Sequence, residues 1–192
     1  MQLLFIGDSL TSGVNDSERL SWTGRICKQL DPQGVKLTAY NLGVRASTTA
    51  HIESRWEKET ADRINPDAPA LLIFCMGAPD TVKNIPLTQS KVCVENILAS
   101  AKDNYATLFI TPPPIIDEEK DKHTKQLSSE FNKICASLDI PFLDINSSLR
   151  ENPAYIKALK ESDGVHPNAE GYGIMAGMIS KFISPYILPH LS

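Results

Sequence analysis

The chain has 192 residues, 42% of them hydrophobic and 22% charged, with a net charge of −4 at neutral pH. That is enough for one domain with a sizeable core, and the composition is ordinary for a globular chain in water. The mild acidity and the absence of a Lys/Arg block exclude nucleic acid as the main partner, and no run approaches the roughly 20 apolar residues of a membrane helix, so no stable membrane insertion is expected.

An apolar run from Leu3 to Ile6 predicts the first strand. It starts almost at Met1, which leaves no room for a signal peptide ahead of it. The strand ends at Gly7, followed by Asp8-Ser9-Leu10 and a polar loop, Thr11 to Ser17, with Gly13 and Asn15 as turn signals. Trp22, Ile26 and Leu30 recur at helical spacing, and Asp31-Pro32-Gln33-Gly34 stops that helix. Val35 to Asn41 is rich in β-formers and reads as the second strand, ending at Leu42-Gly43. Ser47 to Ile64 predicts a single helix with Ile52, Trp56 and Ile64 on one side, stopped by Asn65-Pro66-Asp67.

Ala70 to Met76 is almost continuously apolar, as a central parallel strand buried on both faces requires, and it ends at Gly77. A polar loop leads to a helix from about Pro86, with Val94, Ile97, Leu98 and Ala101 in register. Tyr105 to Ile110 is the fourth strand, closed by Thr111 and three prolines. Asp117 to Leu138 predicts a long helix with Leu127, Phe131, Ile134, Cys135 and Leu138 inward; its charge run, Asp117 to Lys122, reads as a solvated face. Pro141 to Ile145 is a short fifth strand, and Ser147 to Lys160 is helical with an interruption at Pro153. Pro167 opens the last helix, whose buried stripe is Tyr172, Met175, Ala176, Ile179 and Ile183.

Strands alternating with helices specify a parallel sheet covered on both faces. The predicted fold is a three-layer α/β/α sandwich around a five-stranded parallel sheet, flavodoxin-like, as one domain over residues 1–192. Cys27, Cys75, Cys93 and Cys135 form no close pair and no metal-ligand spacing. They read as buried free thiols suited to a reducing compartment, and with the early first strand they predict a cytoplasmic protein.

In such a sheet, ligands bind at the carboxyl ends of the strands. Ser9, Gly43, Gly77 and Thr111 each follow a predicted strand and so line one edge. The Asp163–His166 loop, between strand five and the last helix, can fold back over that edge. A serine just past a buried strand is well placed to be a nucleophile. Asp163-Gly164-Val165-His166 sets a carboxylate three residues from an imidazole, with Gly164 allowing a sharp turn. Asp163 can accept from Nδ1, leaving Nε2 free as a base for Ser9. A helix N-terminus near His166 disfavours imidazolium while Asp163 favours it. Each segment alone also fits a turn or helix cap. Convergence of both on one edge selects the catalytic reading. Asp8 and Asp80 read as structural. His51, His123 and His190 lack comparable context. Gly171-Tyr172-Gly173 follows no strand, which fits helix packing better than a dinucleotide site.

These residues resemble the motifs of the GDSL, or SGNH, hydrolase family along almost the whole chain. The matches are Gly7-Asp8-Ser9-Leu10, Asn41-Leu42-Gly43 and Asp163-x-x-His166, followed by Pro167-Asn168 and Gly171-Tyr172. The resemblance implies the SGNH hydrolase fold, with Ser9 as nucleophile, His166 as base and Asp163 as its partner. It also implies an oxyanion held by the Ser9 and Gly43 N–H groups, a small-molecule ester or thioester substrate, and no metal or cofactor. One block departs: Gly77-Ala78-Pro79-Asp80 stands where the family has Gly-x-Asn-Asp. Proline offers neither an N–H nor an amide, and losing one oxyanion donor costs about 10²–10³ in kcat. Arg45, two residues past Gly43, is the candidate replacement; a solvent-facing arginine is the alternative. Two functions therefore stand side by side: an ester or thioester hydrolase (esterase, lipase or acylhydrolase), and a hydrolase-like binding protein that has lost turnover. A flavodoxin-like nucleotide-binding domain is a third. Loops 11–17, 78–86 and 111–118 would set specificity; acyl length and oligomeric state are not encoded legibly.

Overall fold

A computed structural model describes residues 1–30 and 36–187. The stop signal at 31–34, the start of the second strand at Val35, and His190 lie outside the described residues. The elements, in order, are β1 (Gln2–Gly7), α1 (Ser9–Ser12), α2 (Ser21–Leu30), β2 (Thr38–Gly43), α3 (Thr49–Glu53), α4 (Trp56–Ala61) and β3 (Ala70–Cys75). Then come α5 (Ala78–Val82), α6 (Leu87–Asn104), β4 (Ala106–Ile110), α7 (Glu118–Ser137), β5 (Phe142–Leu143), α8 (Ile145–Arg150), α9 (Pro153–Lys160) and α10 (Ala169–Ile187).

The five strands are all parallel, in the order β2-β1-β3-β4-β5. Side chains alternate across a strand, so β1 feeds two cores. Leu3 and Phe5 meet α2, α8, α9 and α10, with Trp22 edge-on to Phe5 at 5.2 Å. Leu4 and Ile6 meet α3, α4, α6 and α7 through Ile52, Trp56, Val94 and Phe131. The result is the three-layer sandwich expected. The chain leaves β1 toward β2 on one side and returns to β3 on the other, so the crevice after β1 is the topological switch point. Gly7 lies opposite both Gly43 and Cys75, so the carboxyl ends of these strands stand in one row. Among the described residues, no helix is long and apolar enough to cross a membrane.

Several elements differ from the expectation, each for a local reason. The single helix predicted over 47–64 is two, broken at Arg55, whose backbone leaves the helical region at φ −126°. Its guanidinium turns under the sheet edge and donates to the Gly7 and Leu42 carbonyls, at 2.8 and 3.1 Å. β2 runs on to Gly43, because Asn41, Leu42 and Gly43 pair with the end of β1. β5 keeps only two residues, since Asp144 accepts from Ser147 N–H at 3.1 Å and starts α8. Pro153 does not merely interrupt: it opens α9 behind the cap Asn152. The loop expected before Pro86 contains α5, and α10 starts at Ala169, after Asn168 accepts from Gly171 N–H at 3.2 Å. The charge run at the start of α7 is not wholly solvated. Asp121 is buried, pairs with the Arg150 guanidinium and accepts from Ile115 N–H at 3.2 Å, which packs the proline loop after β4.

Candidate active site

Ser9 is the first residue of α1, directly after β1. Asp8 caps that turn by accepting from Leu10 N–H at 2.9 Å. The Asp8 carboxylate is fully buried and also receives the backbone N–H groups of Ala78 and Gly77. Burial dominates: it pushes the Asp8 carboxyl up to about 7, with nearby Asp80 adding to the rise and the Leu10 bond opposing it. Asp80, also buried, accepts from Thr49 N–H at 2.9 Å, Thr49 Oγ1 at 2.6 Å and Ser90 Oγ at 2.7 Å. The two aspartates therefore tie the nucleophile turn to α5, and α5 to α3 and α6, in the structural role expected of them.

The Asp163–His166 loop lies over the same edge. Gly164 has φ +81°, the left-handed turn that lets two side chains three residues apart point at each other. His166 Nδ1 is 2.8 Å from Asp163 Oδ2, and His166 Nε2 is 2.8 Å from Ser9 Oγ. An ionised carboxylate only accepts, so Nδ1 carries the proton and Nε2 is left to accept from the hydroxyl. The other carboxylate oxygen accepts from His166 N–H at 2.7 Å and Val165 N–H at 3.0 Å. Partial burial of Asp163 works against its charge. The His166 and Val165 bonds outweigh it and hold the carboxyl down at about 2.

A residue that sequence reasoning missed completes this arrangement. Asn15 Nδ2 donates to Asp163 Oδ2 at 2.8 Å and to Ser162 Oγ at 3.1 Å. Asn15 has φ +67°, a conformation asparagine tolerates better than most residues. The loop that carries it is pinned by Tyr172, whose hydroxyl donates to the Val14 carbonyl at 2.8 Å. The only signal was Asn15 as a turn residue, which gave its backbone and not its partner.

Gly43 stands opposite Gly7, where a Cβ would meet Ser12 N at 2.2 Å; α1 packs directly on it. Its N–H, expected to face the oxyanion, donates instead to Asn41 Oδ1 at 2.9 Å. A cavity of about 100 Å³ opens beside Ser9 and His166, and Arg45, Ala46, Pro79 and Lys83 form its far wall. Arg45 is exposed there, and its guanidinium has no ion pair or hydrogen bond among the described residues. Ala46 has φ +60°, uncommon for a residue with a Cβ, and its N–H has no acceptor among the described residues. Pro79 is buried in the first turn of α5.

The sequence pattern of the GDSL-like lipase/acylhydrolase family matches residues 5–174. The Escherichia coli (strain K12) protein named thioesterase 1/protease 1/lysophospholipase L1 is 20% identical over 186 residues, covering 96% of this chain and 84% of that one. Among solved structures, the lipase/acylhydrolase from Enterococcus faecalis superposes with a TM-score of 0.83 at 20% identity, over 97% of this chain and 96% of that one. The acetylxylan esterase Axe2 from Geobacillus stearothermophilus gives 0.76 at 18% identity, over 95% and 93%. At such identities the structural likeness is one of fold.

Proposed function

The chain belongs to the GDSL-like lipase/acylhydrolase family, and from that premise we propose that it hydrolyses carboxylic esters or thioesters through Ser9, His166 and Asp163. The supporting observation is the unbroken relay of two 2.8 Å contacts from Ser9 Oγ through the imidazole to the carboxylate. His166 Nε2 takes the Ser9 proton as Oγ attacks the acyl carbonyl. Asp163 balances the imidazolium that results. His166 then gives the proton to the departing alcohol or thiol, leaving an acyl-Ser9 ester. Water, deprotonated by His166, releases the acid and restores Ser9.

The negative charge on the carbonyl oxygen needs donors. Ser9 N–H is the first residue of a helix and has no partner within it. Ala46 N–H is the second donor on the cavity wall and takes the part expected of Gly43. Arg45, on the same wall, is the third; it would supply the charge that Pro79 cannot. Four free thiols are consistent with a reducing compartment such as the cytoplasm.

A fluorophosphonate probe tests the reading. Wild type should label on Ser9, and Ser9→Ala should neither label nor hydrolyse ethyl butyrate. The missing donor at Pro79 favours one other reading, a binding protein without turnover. Absence of both labelling and hydrolysis in folded wild type that still binds an ester ligand would favour it.

A further inference from the structure

The cavity beside Ser9 is lined by two cations, Arg45 and Lys83, and no acid, which is unexpected beside a nucleophile in a chain of net charge −4. Arg45 keeps all its guanidinium donors free among the described residues. Lys83 gives one N–H to the Ala46 carbonyl at 2.8 Å and has two more to offer. Between and below them the walls are apolar, made by Ala78, Pro79 and Val82.

The layers of the fold give this wall a direction. α9 and α10, which flank His166, pack with α2 in one core. The loop through Arg45 runs into α3, and Lys83 is followed by α6; α3 and α6 belong to the opposite layer, while α5 itself packs Ala78 into the first core. Ser9 stands between them. A base that has taken the serine proton must return it to the leaving group, so the leaving group lies toward His166. The acyl chain then points toward Arg45 and Lys83. The cavity, about 100 Å³, is small and open to solvent beyond Arg45 and Lys83, which are both exposed.

We propose that the preferred substrate is a half-ester or half-thioester of a short dicarboxylic acid, its free carboxylate received by Arg45 and Lys83. This rests on the reading of Ser9 as the nucleophile. A succinyl group fits the two dimensions: two methylenes occupy the apolar cavity and the carboxylate reaches the cationic rim. The carboxylate takes no part in bond making. It holds the acyl chain on the side away from His166.

Two matched ester pairs test this. Monoethyl succinate and ethyl butyrate share a leaving group and differ in an acyl carboxylate; acetoxyacetate and ethyl acetate differ in a leaving-group carboxylate. With charge-assisted hydrogen bonds to two cations, wild type should favour monoethyl succinate over ethyl butyrate by about tenfold in kcat/KM, mostly through KM. Raising salt to about 0.5 M should shrink that ratio. The ratio should fall toward one in Arg45→Gln and in Lys83→Gln, and acetoxyacetate should show no advantage. Three results would overturn the proposal: a wild-type ratio of one or less, a ratio unchanged in both variants because both acyl esters lose equally, or an advantage confined to acetoxyacetate. Equal loss would assign Arg45 to the oxyanion alone. If wild type cleaves none of the four esters and Ser9 does not label, the hydrolase reading itself fails and this proposal falls with it.

Discussion

Replacing Asp163 by asparagine removes one charge and forces one hydrogen bond to change direction. In the wild type, one carboxylate oxygen accepts two backbone N–H groups, from Val165 and His166, and the other accepts Asn15 Nδ2 and His166 Nδ1, each at 2.8 Å. An amide has one acceptor oxygen. The backbone donors cannot turn, so that oxygen stays with them and the new NH2 faces Asn15 and His166. Asn15 can flip its amide. His166 can only move its proton to Nε2, which then donates to Ser9 Oγ and no longer accepts from it. The base is lost although every side chain keeps its place. The same substitution in the chymotrypsin-type triad costs about 10⁴ in kcat, or about 5.5 kcal/mol of barrier. Asp163→Asn should therefore lower kcat for ethyl butyrate by about three to four orders of magnitude, with probe labelling slowed in parallel and KM little changed. Thermal melting checks that the fold survives. A folded Asp163→Asn within tenfold of wild type would refute the tautomer reasoning and with it the role given to Asp163.

Burial raises the folded-state pKa of Asp8 to about 7, above its ordinary carboxylate value, so the native state binds the extra proton between about 4 and 7. Its contribution to stability is present below the unfolded pKa and lost as pH rises to about 7; melting of wild type should weaken over that window relative to Asp8→Asn. Asp163 runs the other way: held at about 2, it contributes above the ordinary carboxylate pKa, and that contribution should vanish as pH falls toward 2. Gly43→Ala should destabilise by roughly 1–3 kcal/mol in urea melts, because the new Cβ would lie 2.2 Å from Ser12 N in a backbone that also carries the nucleophile turn. Arg150→Ala should cost about 3–5 kcal/mol by leaving Asp121 buried without its cation, without touching the relay. Pro79→Asn restores an amide to the cavity wall and should raise kcat by up to about 10²; a folded variant no faster than wild type would show that other donors already hold the oxyanion.

The five parallel strands and the helix faces that cover them were legible because they follow from short periods. Leu3 to Ile6 and Ala70 to Met76 are apolar runs, and Trp22-Ile26-Leu30 and Met175-Ile179-Ile183 repeat one helical turn apart. Ser9, Asp163 and His166 could be singled out because each sits next to such a run or beside a glycine that turns the chain. What escaped depends on contacts between segments far apart in sequence. Arg55 breaks a helix because two strand carbonyls need a donor 48 and 13 residues away. Asp121 leaves a charged stretch for the interior because Arg150 waits there. Asn15 supports a carboxylate 148 residues on. No local period records such partners. The Gly43 N–H went astray for the opposite reason: its acceptor, Asn41, is only two residues back, in a motif read for the glycine alone.

Three departures from local rules meet at one cavity. Ala46 holds a left-handed backbone that favours glycine, Pro79 withholds a donor, and Arg45 leaves a cation unpaired among the described residues. All three belong to the wall opposite His166. Beside His166, Asp163 collects four donors, one of them from Asn15 with its own left-handed backbone, and Ser9 is 4% exposed and held against the imidazole. In the proposed reaction these residues stand where the acyl group and its charge would be received. If the proposed hydrolysis holds, Arg45, Ala46 and Pro79 are the ones to vary in a search for acyl selectivity, with the Ser9–His166–Asp163 contacts left unchanged.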